Sequence, residues 1–265
     1  MPKKPIGFIG AGNIASAIIS GALSSGYIKP KNVYVYDINP ASMAKLSESG
    51  VFVSNSIEDM CDQCGIVFLC VKPQVYAEVL PELAKCIKGN TIVSVAAGKT
   101  TEYVKNLLGC CVPVIRVMPN TPLLIGKGVT AICATAEVSE ENILLVDGLF
   151  SASGITIQLD ESDFDIATAA GGSMPAFIYR FINSAMSAAM EKGLCEQDAR
   201  RMVCSTVMGA AQLAADSDDS IDSMIAMVAS PGGTTMAGLG ALDASGFDDA
   251  VFSAVTAAFE RAKEL

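Results

Sequence analysis

Histidine and tryptophan are both absent from the 265-residue sequence. Histidine is the usual general acid or base near neutral pH and a common metal ligand, so its absence removes several kinds of chemistry. It excludes hydrolysis by a Ser-His-Asp triad, metal sites built on imidazole, and dehydrogenases that use histidine as the acid. Any proton transfer must rely on lysine, tyrosine, a carboxylic acid, a hydroxyl group or water.

Positive charge is scarce. The chain has 18 Lys and Arg against 28 Asp and Glu, and a net charge of −10 disfavours binding to the phosphate backbone of nucleic acids. No apolar run reaches the roughly 18 residues of a membrane span, and the amino-terminal residues lack the apolar stretch of a signal peptide. We therefore expect a cytoplasmic protein that binds neither nucleic acid nor membrane.

Cysteine is present but irregularly spaced. Only Cys61 and Cys64 of the nine cysteines form a CxxC pair, whereas a structural zinc site needs four Cys or His ligands. The pattern predicts reduced thiols in a cytoplasmic protein and no metal site.

Strand and helix patterns alternate through the amino-terminal part of the chain. The continuous apolar run at residues 65–71 is typical of a strand buried on both faces. Further strands are predicted at residues 5–9, 32–36, 51–53, 91–95, 113–117, 128–134 and 154–158. Helical patterns lie between them, which predicts an α/β Rossmann domain with a doubly wound, mostly parallel sheet over residues 1–160.

No strand pattern follows residue 160. A long Ala-rich helix is predicted at residues 164–191, and further helices at 196–216, 221–228, 235–244 and 248–263. We therefore predict an all-α domain at residues 161–265. Its many apolar helix positions favour an interface with a second subunit, and a self-contained bundle is the alternative.

A glycine-rich loop joins the first predicted strand to the first helix with the pattern GxGxxA. Gly10 permits the tight turn, Gly12 leaves room for a pyrophosphate, and Ala15 lets helix and strand pack closely. The helix N-terminus then faces the phosphates. The loop predicts a dinucleotide site, with contacts from Gly10, Ala11, Gly12, Asn13 and Ile14.

Asp37 stands at the end of the second predicted strand. A carboxylate there accepts hydrogen bonds from the adenosine ribose hydroxyls and repels a 2′-phosphate, so the sequence favours NADH over NADPH. The alternative is that Asn39 and backbone groups hold a phosphate while Asp37 is turned away.

Further cofactor contacts are expected where later strands end, because the carboxyl ends of parallel strands border the nucleotide crevice. The segment after the fourth strand contributes Val71, Lys72 and Pro73. Ala97 follows the next strand, and Asn120 follows the one after that, within a rigid polar turn.

Six segments in order resemble one family, the pyrroline-5-carboxylate reductases. They read GFIGAGNIA, VKPQ, AAGKT, RVMPNTP, an Asp-to-Phe stretch containing GSMPAF, and SPGGTT, and together they span essentially the whole chain. The resemblance implies NAD(P)H-dependent reduction of the cyclic imine Δ1-pyrroline-5-carboxylate to L-proline. It also implies a homodimer formed through the carboxyl-terminal helices, which assembles further into decamers in some members.

The resemblance also assigns residues. It implies that Thr235 hydrogen-bonds the substrate nitrogen and is the catalytic residue. It implies substrate contacts at Gly232, Gly233, Thr234, Ser173 and Pro175, and a cofactor contact near Asn55. A protonated imine is already electrophilic, so hydride transfer suits a chain without histidine.

Two methionines depart from the family pattern. Met174 stands where glycine is usual, and Met227 stands where a polar residue is common. Two other functions remain open: a related small imine reductase, and a non-catalytic module that senses nicotinamide cofactors. The second would keep Gly10, Gly12 and Asp37 but would not need Thr235.

Overall fold

The computed structural model describes residues 4–109 and 112–265, so Cys110 and Cys111 lie outside the described residues. The described chain divides into two compact units. One comprises the residues up to Ser173 together with Ala258–Leu265, and the other comprises Met174–Ala257. The sequence-based boundary at residue 160 marks where the strands end, whereas the compact units divide at Ser173.

The first unit is built on an eight-stranded sheet in the order β3-β2-β1-β4-β5-β6-β7-β8. The pairs are parallel except β6 with β7, which run antiparallel. The predicted doubly wound, mostly parallel sheet is therefore confirmed. Its strands are β1 (Ile6–Ile9), β2 (Val33–Tyr36), β3 (Phe52–Val53), β4 (Ile66–Leu69), β5 (Thr91–Ser94), β6 (Val114–Pro119), β7 (Gly128–Ala134) and β8 (Gly154–Gln158).

Helices cover both faces of this sheet and bury the central strands completely. Phe8 and Phe68 stack on one face with ring centroids 4.6 Å apart, while Ile9 and Leu69 point to the other face. This alternation fills two hydrophobic cores from the same short strands. The helices of this part of the chain are α1 (Asn13–Ser24), α2 (Pro40–Ser47), α3 (Ile57–Gln63), α4 (Tyr76–Ala84), α5 (Thr101–Leu108), α6 (Glu140–Ser151) and α7 (Phe164–Ala167).

The helix predicted over residues 164–191 is not a single α-helix. A π-helical segment, Thr168–Ser173, separates α7 from α8 (Met174–Glu191). Two glycines, Gly171 and Gly172, lie in this segment, and glycine tolerates the wider backbone geometry.

All the regular secondary structure in the described residues of the second unit is helical. It contains α8, α9 (Glu196–Asp216), α10 (Ile221–Val228) and α11 (Thr234–Ala244), and most of α12 (Phe247–Lys263). Over the part of the chain that is described, no helix is both long and apolar enough to cross a membrane.

Candidate functional site

The predicted glycine loop lies at the edge of the sheet where β1, β2, β4 and β5 end, here called the carboxyl edge. Gly10 has a φ of +97°, and a Cβ there would lie 2.7 Å from the carbonyl oxygen of Cys70. Its N–H donates to the carbonyl oxygen of Tyr36 (2.8 Å). Gly10 is therefore required by the turn, which passes between β2 and β4 at the point where the strand order reverses.

The residues present fit a dinucleotide. Gly12 is exposed, and a Cβ built on it meets nothing within 4 Å, so the surface above the loop is open. It is also the N-cap of α1, and no side chain caps that helix. The first-turn N–H groups, which include those of Asn13 and Ile14, therefore face solvent with the positive end of the helix dipole, as a pyrophosphate requires.

Asp37 is turned toward the backbone of this loop. One carboxylate oxygen accepts the N–H of Ala11 (2.7 Å), and the other accepts the N–H of Asn39 (2.8 Å). The carboxylate thus ties the end of β2 to the glycine loop across 26 residues of sequence. Each oxygen retains a second lone pair for a ribose hydroxyl.

The other predicted cofactor residues in this unit lie along the same edge. The strand registers align Ile9 with Leu69, and Leu69 with Ser94. Val71, Lys72 and Pro73 follow β4, Ala97 follows β5, and Asn55 follows β3. The structure brings their backbones to one edge, and their contacts with a cofactor remain predictions.

Asn120 follows β6, and its side-chain amide is engaged at both ends. Its Oδ1 accepts the N–H of Val129 (2.9 Å), and its Nδ2 donates to the carbonyl oxygen of Gly171 (3.0 Å). The side chain therefore connects the sheet to the π-helical segment.

In the second unit, residues 230–233 form a turn that leads into α11, whose first two residues are Thr234 and Thr235. Gly232 has a φ of +74°, and Gly233 is the N-cap, whose N–H donates to the carbonyl oxygen of Ser230 (3.0 Å). No side chain caps α11, so Thr234 and Thr235 stand at an open helix N-terminus. This arrangement suits a carboxylate.

The remaining predicted substrate residues lie where the π-helical segment passes into α8. Ser173 is the last residue of that segment, and Pro175 is the second residue of α8, next to Met174. The sequence placed both in an ordinary helix, so the irregular backbone at this point was not foreseen.

The CxxC pair lies away from the carboxyl edge, in and after α3. Burial raises the pKa of both thiols, Cys61 and Cys64, to about 12. Asn90 donates to the carbonyl oxygens of both residues (2.9 and 2.7 Å), which ends the helix. Among the residues that are described, no group of three or more His, Cys, Asp or Glu side chains is placed to hold a metal ion.

The sequence did not predict a polar network that joins Glu161 to Thr101 and Arg116. Glu161 accepts the N–H of Thr101 (2.7 Å), the hydroxyl of Thr101 (2.6 Å) and an N–H of Arg116 (3.1 Å). Arg116 also lies over the ring of Phe164, 4.6 Å from its centroid. An arginine inside an otherwise apolar strand was the one available signal, because a buried charge needs a partner.

Comparison with known proteins assigns both parts of the chain. Residues 161–265 match the family described as pyrroline-5-carboxylate reductase dimerisation, and residues 5–98 match that described as NADP oxidoreductase, coenzyme F420-dependent. The pyrroline-5-carboxylate reductase of Escherichia coli (strain K12) is 32% identical over 265 residues, covering 99% of this chain and 98% of the relative.

Solved structures agree over the full length. A crystal structure of Plasmodium falciparum pyrroline carboxylate reductase with NADP bound has a TM-score of 0.90 at 29% identity and covers 100% of this chain and 98% of that chain. A pyrroline-5-carboxylate reductase from Coxiella burnetii has a TM-score of 0.92 at 30% identity, covering 99% and 98%. The chain thus carries an NAD(P)H-binding Rossmann domain and a helical dimerisation domain, and it belongs to the pyrroline-5-carboxylate reductase family.

Proposed function

We propose that this protein reduces Δ1-pyrroline-5-carboxylate to L-proline with NAD(P)H, the last step of proline synthesis. The observation that carries the proposal is the turn at residues 230–233 together with the start of α11. It offers an uncapped helix N-terminus followed by two threonines, in a chain that matches its relatives from end to end. An NAD(P)H-binding loop alone would fit many oxidoreductases, whereas this turn fits a substrate that carries a carboxylate.

The reaction requires little acid–base catalysis from the protein. When bound, the reduced nicotinamide supplies a hydride to the ring carbon of the imine. The residues must hold the ring in place and balance its charges. The N–H groups of Gly232, Thr234 and Thr235, with that of Gly233 fixed by Ser230, orient the substrate carboxylate. The hydroxyl of Thr235 hydrogen-bonds the ring nitrogen, and Ser173 and Pro175 complete the contacts.

The cofactor is held by the glycine loop and the carboxyl edge. Gly10, Gly12 and the first turn of α1 receive the pyrophosphate, and Asp37 receives the adenosine ribose. Further contacts come from the segments that follow the strands, namely from Asn55, Val71, Lys72, Pro73, Ala97 and Asn120. Because a carboxylate at Asp37 repels a 2′-phosphate, we propose NADH as the preferred form.

The chain works as a homodimer through its carboxyl-terminal helices. Helices α8, α10 and α11 bury none of their residues, and large apolar side chains such as Met227, Val228 and Phe252 are exposed. An apolar cavity of about 880 Å³ lies among α8, α9, α11 and α12. A second copy that covers these faces removes them from water. Dimers assemble further into decamers, which light scattering distinguishes from dimers.

The protein works in the cytoplasm, and its cysteines support this. The seven described cysteines are free thiols, which a reducing compartment preserves.

The test is turnover by the purified protein with Δ1-pyrroline-5-carboxylate and either reduced cofactor. We expect oxidation of the cofactor, followed at 340 nm, with formation of L-proline. Thr235→Ala is expected to lower kcat by about 10²-fold or more while cofactor affinity is retained. No turnover with either cofactor would favour a non-catalytic module. Equal turnover of an imine without the carboxylate would favour a related imine reductase.

A further inference from the structure

Asn120 is a buried amide that joins three segments of the first unit. It follows β6, accepts an N–H from Val129 on β7, and donates to the carbonyl oxygen of Gly171 in the π-helical segment. The two partners lie 9 and 51 residues away in the sequence. An amide can do this because it carries a donor and an acceptor on the same planar group.

The π-helical segment needs such support. A π-turn widens the helix and breaks the regular α-helical pattern of hydrogen bonds, so it is retained where its surroundings hold it. Three contacts do so here. Gly171 receives the amide of Asn120, Gly172 leaves space for Met118, and the hydroxyl of Thr168 donates to the carbonyl oxygen of Phe164 (2.7 Å). Two of the three involve β6 or the residue that follows it, namely Met118 and Asn120.

The segment ends at Ser173, so its geometry decides where that residue points. We propose that Asn120 is a positioning residue, which sets Ser173 for the substrate by holding the carbonyl group of Gly171. The inference rests on the proposed function, because it takes Ser173 as a substrate contact. This positioning role for the Asn120 amide is assigned neither by its place after a strand nor by the family resemblance.

Asn120→Asp removes the hydrogen-bond donor of the side chain and keeps an acceptor, so it tests the two contacts separately. The aspartate keeps an oxygen for the N–H of Val129, but its ionised form cannot donate to the carbonyl oxygen of Gly171 and repels it. Once protonated, the same side chain donates as the amide does. Relative to the wild type, kcat/KM of the variant is expected to fall about tenfold or more at pH 9 and to recover toward pH 6.

Asn90→Asp is the matched control. Asn90 is likewise buried, and it also accepts a backbone N–H while donating to backbone carbonyl groups, but it lies beside α3. We expect this variant to keep the wild-type kcat/KM. A second readout, hydrogen exchange, is expected to show faster exchange over residues 168–173 at pH 9 in Asn120→Asp alone.

The outcomes are distinct. Absence of wild-type turnover overturns the proposed function, whereas failure of this inference appears only in the variants. A loss in Asn120→Asp that is equal at pH 6 and pH 9, or equal to that of Asn90→Asp, overturns the positioning role. If Asn120→Asp does not fold, the uncharged Asn120→Ser serves instead, and a kcat within twofold of the wild type then overturns it.

Discussion

Removing the carboxylate of Glu161 is expected to destabilise the protein strongly, although the residue lies outside the candidate site. The side chain of its partner Arg116 is 4% exposed and that of Glu161 is 31% exposed. Glu161→Ala leaves a buried guanidinium without its counter-charge, and it leaves the N–H of Thr101, at the start of α5, without its acceptor.

The magnitude follows from burial. Loss of one partner of a buried ion pair costs about 3–5 kcal/mol, and partial access of water at Glu161 puts the expected cost near the lower end, at about 3 kcal/mol. At about 2–4 °C per kcal/mol for a chain of this size, the Tm is expected to fall by about 6–12 °C. Glu161→Gln keeps an acceptor for Thr101, and we expect it to lower the free energy of unfolding by about half as much.

The assay is thermal unfolding followed by circular dichroism at fixed protein concentration, because dimerisation makes the Tm depend on concentration. The control is Asp62→Ala. Lys88 and Asp62 are 2.6 Å apart, closer than the 3.1 Å of Arg116 and Glu161, but their side chains are 63% and 45% exposed. A fall in Tm as large for Asp62→Ala as for Glu161→Ala would refute the reasoning that burial, rather than distance, decides the effect.

Three further predictions concern single residues. Gly10→Ala combines a positive φ with a Cβ 2.7 Å from a backbone oxygen. We therefore expect the free energy of unfolding to fall by about 2 kcal/mol or more, and cofactor binding to weaken at least tenfold. Calorimetry should show a smaller effect for Gly89→Ala, which has a positive φ but no contact within 4 Å. Asp37→Ser should raise the NADPH/NADH ratio of kcat/KM about tenfold, since charges about 5 Å apart in water repel by about 1 kcal/mol per unit charge; an unchanged ratio would contradict the role of Asp37. Cys64, with a pKa of about 12, should resist thiol reagents at pH 8, and its labelling rate should rise about tenfold per pH unit, whereas exposed Cys195 should react before Cys64.

Much of the fold could be predicted because local patterns carry it. The helices predicted at residues 196–216 and 221–228 coincide with α9 and α10, and the strands predicted at 128–134 and 154–158 coincide with β7 and β8. The glycine loop could be predicted equally well, because the positive φ at Gly10 requires a glycine and that residue is visible in the sequence. Parallel strands end at one edge, so residues that follow different strands could be grouped without coordinates.

The sequence by itself therefore determined the order of the elements, the dinucleotide loop and the turn before α11, because these depend on backbone preferences over a few residues. The tertiary structure alone decided the antiparallel pairing of β6 with β7 and the π-helical segment. It also decided the most distant hydrogen-bond partners of Asp37, Asn120 and Glu161, which lie 26, 51 and 60 residues away. A buried carboxylate or amide must find a partner somewhere, but the identity of that partner depends on which segments packing brings together, and no local pattern records it.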